Sequence, residues 1–558
     1  MRCSAHPACA RGSAQHDPRV DAWLNSLLGQ RYRYEVSETV ARTGRGSLEG
    51  MEQRLNIGLM ARAGTLLSSR GFILALVAAG IALRLLQYLA NRSLWLDELR
   101  LTLNILERSY AGLTSPLDYN QGAPIGFLLL VKASTELFGR SEYALRLVPF
   151  IFGIVSVLLF YRVARDFIVP SAVPLAVALF AILPPLVYYS SEVKQYSGDV
   201  MATLLLLGMA RPFAAARAYA IPRALLLALV GAVTLWISHA AVFTLAGIGV
   251  VILLPSFVRG DRRSRLAVPL VAGIWMLSLT AFYQVSLRHI ASNQMLLQYW
   301  NQDFVPPSLS VSTAKWLVTH VADLFADPAH FRPPGVAMFA FAVGCAVAFL
   351  RNRSRFWLMI SPLAFAFLAA ALQKYPFGGR LLLFAVPLLI LLVAEGAAIV
   401  AGITWDRAPA IAVILVGLLV FYPATEALES AVAPKGREEI KPVLAYVMAH
   451  RRDGDELYLY GPARFAFQYY AVMGGWKLPV MVGVDMQATE YSTLGDDLER
   501  LRGRGRMWVI FSHIRGDEDK FSLFYLDRIG HRTDAFSAQG AAAYLYDFRE
   551  GPQGTVGR

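Results

Sequence analysis

Apolar residues gather in long runs along this chain instead of alternating. Eleven stretches read as membrane spans: 71–90, 145–164, 172–190, 197–211, 223–238, 240–257, 266–285, 335–350, 356–372, 381–401 and 409–423. Each is near the ~20 residues a helix needs to cross a ~30 Å hydrocarbon core. Three polar segments between or after them are long: 91–144, 286–334 and 424–558. Within the first, "YNQGAPIGFLLLVKASTELFG" (119–139) is amphipathic and interrupted by Gly122, Pro124 and Gly126. It predicts a helix lying along the membrane surface. The tail has another rhythm: strand-like runs at 455–461, 506–513 and 542–548 alternate with helical patterns at 437–451 and 494–504. That alternation predicts a small α/β domain of about 120 residues.

The expected architecture is therefore a polytopic α-helical membrane protein of about 11 transmembrane helices with a C-terminal extracytoplasmic α/β domain. Residues 1–70 read as a flexible cytoplasmic tail, 71–423 as the membrane module with outer loops 91–144 and 286–334, and 424–558 as the outer domain. The first long run follows a charged stretch with no cleavage pattern and reads as a retained helix. No internal repeat is visible, although many transporters show one.

Composition supports the membrane reading, with 56% hydrophobic and 17% charged residues. The net charge of +13 does not point to nucleic acid, because no basic stripe carries interleaved aromatics. With the N-terminus inside, the inner loops carry Arg162, Arg165, Arg211, Arg217, Arg259, Arg262, Arg263, Arg265, Arg351, Arg353, Arg355 and Arg407. Their acids are only Asp166, Asp261 and Asp406. Positive residues thus fall where cytoplasmic loops want them, placing the tail domain outside the cytoplasmic membrane. Of the three cysteines, Cys3 and Cys9 lie in the N-terminal tail and Cys345 in an apolar run. No outer disulfide and no zinc spacing is expected.

Chemistry concentrates in three outer segments. "SLWLDELRLT" (93–102) sets Asp97 and Glu98 where the first span leaves the bilayer. Helical neighbours point ~100° apart, so one acid should act and the other orient or bind. Asp97 is the choice for the acting group; an N-cap or a solvated helix start is the plain alternative. In "YYSSEVKQYSGD" (188–199), helical spacing would put Tyr188, Glu192, Tyr196 and Asp199 on one face, with Lys194 off it. Such polar density should line a wet cavity, unless it is an ordinary tyrosine-belt loop. "QKYPFGGRLLLF" (373–384) brings Lys374, Tyr375 and Arg380. Cations here oppose the positive-inside trend and suit a phosphate clamp, or lipid headgroups in general. Sugar transfer from a lipid phosphate fits this set. The phosphate leaves without a general acid if cations stabilise it, and one carboxylate serves as base.

These residues resemble the integral-membrane GT-C glycosyltransferases of the family-39 type, which include protein O-mannosyltransferases and lipid A aminoarabinose transferases. The resemblance rests on "WLDE", "GAPIGFLLLVKASTELFGRSEYALRLVPFIFG", "YYSSEVKQYSGD" and "YPFGGRLLLFAVPLL", over roughly 71–400. It implies a polyprenyl-phosphate-linked sugar donor, a glycan, lipid or protein acceptor and an inverting reaction. It implies Asp97 as catalytic base, Glu98 positioning the acceptor, and the outer-loop cations on the donor phosphate. It demands no cofactor and leaves a divalent metal open. "NQGAPIGF" stands where the family's His/Lys-Pro-Pro is usual, and the tail is not a MIR-type module. Two other readings compete: a lipid or polysaccharide transporter, and a non-catalytic envelope assembly protein. A transporter predicts functional charges at span centres, whereas the strongest polar clusters here lie at the outer ends.

Overall fold

The computed structural model describes residues 69–215, 220–308, 310–484, 491–514 and 518–549. Most of the expected tail 1–70, with Cys3 and Cys9, lies outside them. Each of the eleven expected spans falls on a helical segment, yet the count differs by strict length and apolarity. Among the described residues eight helices are long and apolar enough to cross a membrane, or nine if one bent pair counts as a single span. The helix Ile221–Ile237 has only 17 residues. The last apolar helix, Pro409–Val432, runs past residue 423 before the chain enters the C-terminal unit.

The bent pair sets up the site. Pro170–Ile182 and Pro184–Ser191 meet at 57°. Pro184 and Pro185 cause the break, since neither has an N–H for the turn before it. The Phe180 and Ala181 carbonyls are left without their helical donors. Buried Arg84, in the first span, supplies them: Nη2 donates to Phe180 O at 3.1 Å and Nη1 to Ala181 O at 3.3 Å. A cation inside a membrane helix thus serves to hold a bend.

The centre of the bundle is Gly379–Thr404, whose most apolar stretch is 89% buried, against 22–50% for the other candidate spans. It packs against Pro334–Arg351 through small residues. A Cβ on Gly344 would run into the Leu392 carbonyl, and one on Gly396 into the Ala340 carbonyl. Without side chains the two backbones come close enough for extensive van der Waals contact. At the end of the bundle away from the site, Arg162 and Arg211 both pair with Asp166, at 3.3 and 3.1 Å.

The C-terminal unit holds one five-stranded sheet in the order β2-β1-β3-β5-β4. Its strands are β1 (Glu456–Leu459), β2 (Val480–Val482), β3 (Arg506–Ser512), β4 (His531–Ala538) and β5 (Ala541–Asp547). β1, β2 and β3 pair in parallel, and β4–β5 is an antiparallel hairpin joined to β3. Buried Trp508, Ile510 and Leu457 share one core with Leu94, Trp95 and Leu99 of the first loop. That shared core seats the sheet unit over the loop bearing the two acids.

Candidate functional site

Asp97 lies in the first turn of the helix Leu96–Glu107. Its Oδ1 is 3.0 Å from Lys194 Nζ and its Oδ2 is 2.8 Å from an Arg380 Nη. Three expected site residues, from segments far apart in sequence, thus form one ionic cluster. Lys194 Nζ also donates to Gln121 Oε1 at 2.7 Å, which brings in the "NQGAP" turn. Burial pushes the Asp97 carboxyl up, but Lys194 and Arg380 outweigh it and hold the group well below the usual carboxylate range. Burial lowers the Lys194 ammonium, and Asp97 opposes that shift.

Arg380 owes its place to the Pro-Phe-Gly-Gly turn. Gly379 has φ +48°, a left-handed conformation natural to glycine, and a Cβ on Gly378 would strike the Asp303 carboxylate. Tyr375 braces the turn from inside, its hydroxyl donating to Leu381 O at 2.8 Å. It is a support and does not touch Asp97. Lys374 is exposed and forms no ion pair with Asp97. Tyr196 is buried, with the Arg380 guanidinium 5.7 Å from its ring centre; Trp95 stands at the same distance on its own account.

Glu98 corrects an expectation. Expected to position the acceptor, it is instead wholly buried. Arg146 binds it twice, through Nε at 2.9 Å and Nη2 at 2.6 Å, and the Val193 N–H donates to it at 2.9 Å. Burial raises this carboxyl too, and Arg146 and Arg92 reverse the shift. Glu98 therefore ties the first loop to the Val193–Lys194 segment, fixing Lys194 against Asp97.

The expected shared face of Tyr188, Glu192, Tyr196 and Asp199 does not form. Helix ends at Ser191, Glu192 is extended with φ −116°, and a new helix begins at Tyr196. The same break leaves Lys194 free to point at Asp97. Glu192 is fully buried and neither of its oxygens has a hydrogen-bond partner among the described residues. Burial and then Glu98 raise its carboxyl, against the pull of Arg437, Arg380 and Arg92.

Three cations escaped the sequence reading. Arg146 stands at the start of an apolar run, and a charge there was a signal. Arg92 binds Ser191 through its hydroxyl at 2.9 Å and its carbonyl at 2.8 Å. Arg437, in the link between the last membrane helix and the sheet unit, lies 4.2 Å over the Trp95 ring and donates to the Tyr189 hydroxyl at 3.3 Å. Nothing local in the sequence announces that return. Among the described residues no three His, Cys, Asp or Glu side chains gather to hold a metal ion.

No protein-family model matches this chain, and no curated protein sequence does. Solved structures do. The oligosaccharyltransferase of Archaeoglobus fulgidus, in complex with zinc and sulfate, superposes with a TM-score of 0.50 at 13% identity, over 85% of this chain and 72% of its own. ArnT from Cupriavidus metallidurans bound to undecaprenyl phosphate gives 0.49 at 13% identity, over 86% of this chain and 98% of its own. The likeness is one of fold: a multi-pass bundle of apolar helices carrying a C-terminal sheet unit.

Proposed function

We propose that this protein is an inverting, polyprenyl-phosphate-dependent glycosyltransferase acting on the non-cytosolic face of the cytoplasmic membrane. The observation that carries the reading is the Asp97 carboxylate bracketed by Lys194 at 3.0 Å and Arg380 at 2.8 Å. A carboxylate between two cations, beside a membrane bundle of GT-C type, suits one displacement. The acceptor hydroxyl gives its proton to Asp97 as its oxygen attacks the anomeric carbon. The bond from that carbon to the phosphate oxygen breaks, and the electron pair leaves with the phosphate. Lys194 and Arg380 neutralise the charge that develops there. Two cations at the membrane face make a lipid phosphate a natural donor class.

The ion pairs also imply an order of events. While both cations rest on Asp97, it is a weak base. A donor phosphate competing for Lys194 and Arg380 frees the carboxylate oxygens and raises their basicity. Zinc accompanies the Archaeoglobus structure, but the donor set here does not fit a metal. Both Asp97 oxygens are taken by cations, and no three His, Cys, Asp or Glu side chains gather there among the described residues.

Binding of undecaprenyl phosphate to the full chain in nanodiscs tests the reading. Arg380→Ala and Lys194→Ala should each weaken it about 10-fold or more, as lost charge-assisted contacts imply. Lys374→Ala should leave it unchanged. Equal affinity for all three would refute the phosphate role.

A further inference from the structure

The backbone leading into Asp97 is held by side chains. Four successive amides donate to side-chain oxygens: Ser93 N to Glu439 Oε2 at 3.1 Å, Leu94 N to the Tyr470 hydroxyl at 3.0 Å, Trp95 N to Glu98 Oε2 at 3.4 Å and Leu96 N to Glu438 Oε2 at 3.2 Å. Three of the four acceptors come from residues more than 340 positions later, at sequence separations of 346, 376 and 342. Lys441 adds to the grip, its amide donating to Ser93 Oγ at 3.1 Å and its ammonium to Asn91 O at 3.0 Å. Glu438 reaches further. Its Oε1 is 2.5 Å from His513 Nδ1, and its Oε2 accepts from Ser512 Oγ at 3.3 Å, both at the carboxyl end of β3.

An extended segment entering a helix has no backbone partners of its own for these amides, and the first turn of a helix needs outside acceptors. Here the sheet unit and its entry segment supply them. We propose that Glu438, Glu439 and Tyr470 are positioning residues for Asp97, so that the transfer site is complete only when the C-terminal unit is docked on the first loop. The inference rests on Asp97 as the acting base. It adds that the unit's entry segment, through these three acceptors, sets where that base stands. Geometry of this kind matters because a displacement of about 1 Å can cost on the order of 100-fold in rate. Glu438 is the central member, since one carboxylate joins the Leu96 amide to the end of β3.

Hydrogen–deuterium exchange on the purified full chain, together with envelope glycans from cells producing each variant, tests this. Glu438→Ala should speed exchange across residues 93–97 while amides of β1 and β3 stay protected. It should cut the glycan product about 10-fold or more and leave undecaprenyl phosphate affinity within about twofold. Glu438→Gln should recover most of the loss, because its amide oxygen still accepts from the Leu96 N–H. Should exchange in the sheet rise as well, Tyr470→Phe decides, since it deletes one oxygen: slower transfer with a protected sheet supports the proposal. Full transfer in both Glu438→Ala and Tyr470→Phe, with Asp97→Asn inactive, overturns positioning alone. Transfer surviving Asp97→Asn overturns the base instead, and the exchange result stands apart from it.

Discussion

Replacing Glu98 with alanine should unfold more than it disarms. The carboxylate is fully buried and accepts from Arg146 Nε and Nη2, from Val193 N–H and from Trp95 N–H. Arg146 is itself only 2% exposed. Losing one partner of such a buried pair costs about 3–5 kcal/mol, because the other charge stays in place unpaired. The Val193 amide loses its acceptor too, a cost of about 1–3 kcal/mol. The two overlap, since any collapse or water entry that relieves one relieves the other. Arg146 also keeps bonds to Arg92 O at 2.7 Å and Ser93 O at 3.1 Å. A net loss of about 4 kcal/mol follows. Asp97→Ala, one residue away, acts on a side chain 18% exposed at the edge of the site. It leaves Lys194 and Arg380 without their partner, but partial exposure lets water relieve part of that cost, so it should cost about 1–3 kcal/mol, less than Glu98→Ala. The assay is unfolding of the purified protein in mixed micelles titrated with a denaturing detergent, comparing Glu98→Ala, Asp97→Ala and the parent. Glu98→Ala within about 1 kcal/mol of the parent would refute the view that Glu98 is the knot of the first loop.

Arg84→Met should cost about 2–4 kcal/mol, because the Phe180 and Ala181 carbonyls lose the donors that Pro184 and Pro185 cannot replace; size-exclusion profiles after stepwise heating report it. The Asp97 cluster has a defined pH signature. A carboxyl whose folded pKa is depressed stabilises fully above its unfolded pKa, about 3.9, and loses that contribution progressively as pH falls from there through the lower folded value. The stability gap between the parent and Asp97→Asn should therefore be flat from about pH 5 to 7 and shrink below about pH 4, as followed by tryptophan fluorescence on acid titration.

Much of this was legible in the chain because membrane physics writes loudly. Runs of apolar residues gave the helical segments, and Asp97, Lys194 and Arg380 stood out as charges where charge is costly. Their convergence was not legible, since it depends on the bend at Pro184 and the turn at Gly379, whose directions no periodicity encodes. The assumption of one continuous helix through 188–199 failed because Glu192–Gln195 is non-helical, so Lys194 was placed off the expected face and its direct pairing with Asp97 was not foreseen. In the tail, β1, β3 and β5 were visible as hydrophobic runs. β2 has three residues, and β4 carries His531, Arg532 and Asp534 on an exposed edge, so neither has an apolar signature. Glu438 and Glu439 read locally as ordinary acids before a helix. Their partners lie some 340 residues earlier, at separations of 342 and 346, and only the packed fold reveals them.

The central claim is that Asp97 takes the acceptor proton between two phosphate-binding cations. Mass spectrometry of envelope glycans and lipid-linked sugars, in cells producing the parent or Asp97→Asn at equal levels, tests it most directly. In Asp97→Asn cells the transferred sugar should vanish from its acceptor and its lipid-linked form accumulate. An unchanged glycan in Asp97→Asn cells would contradict it.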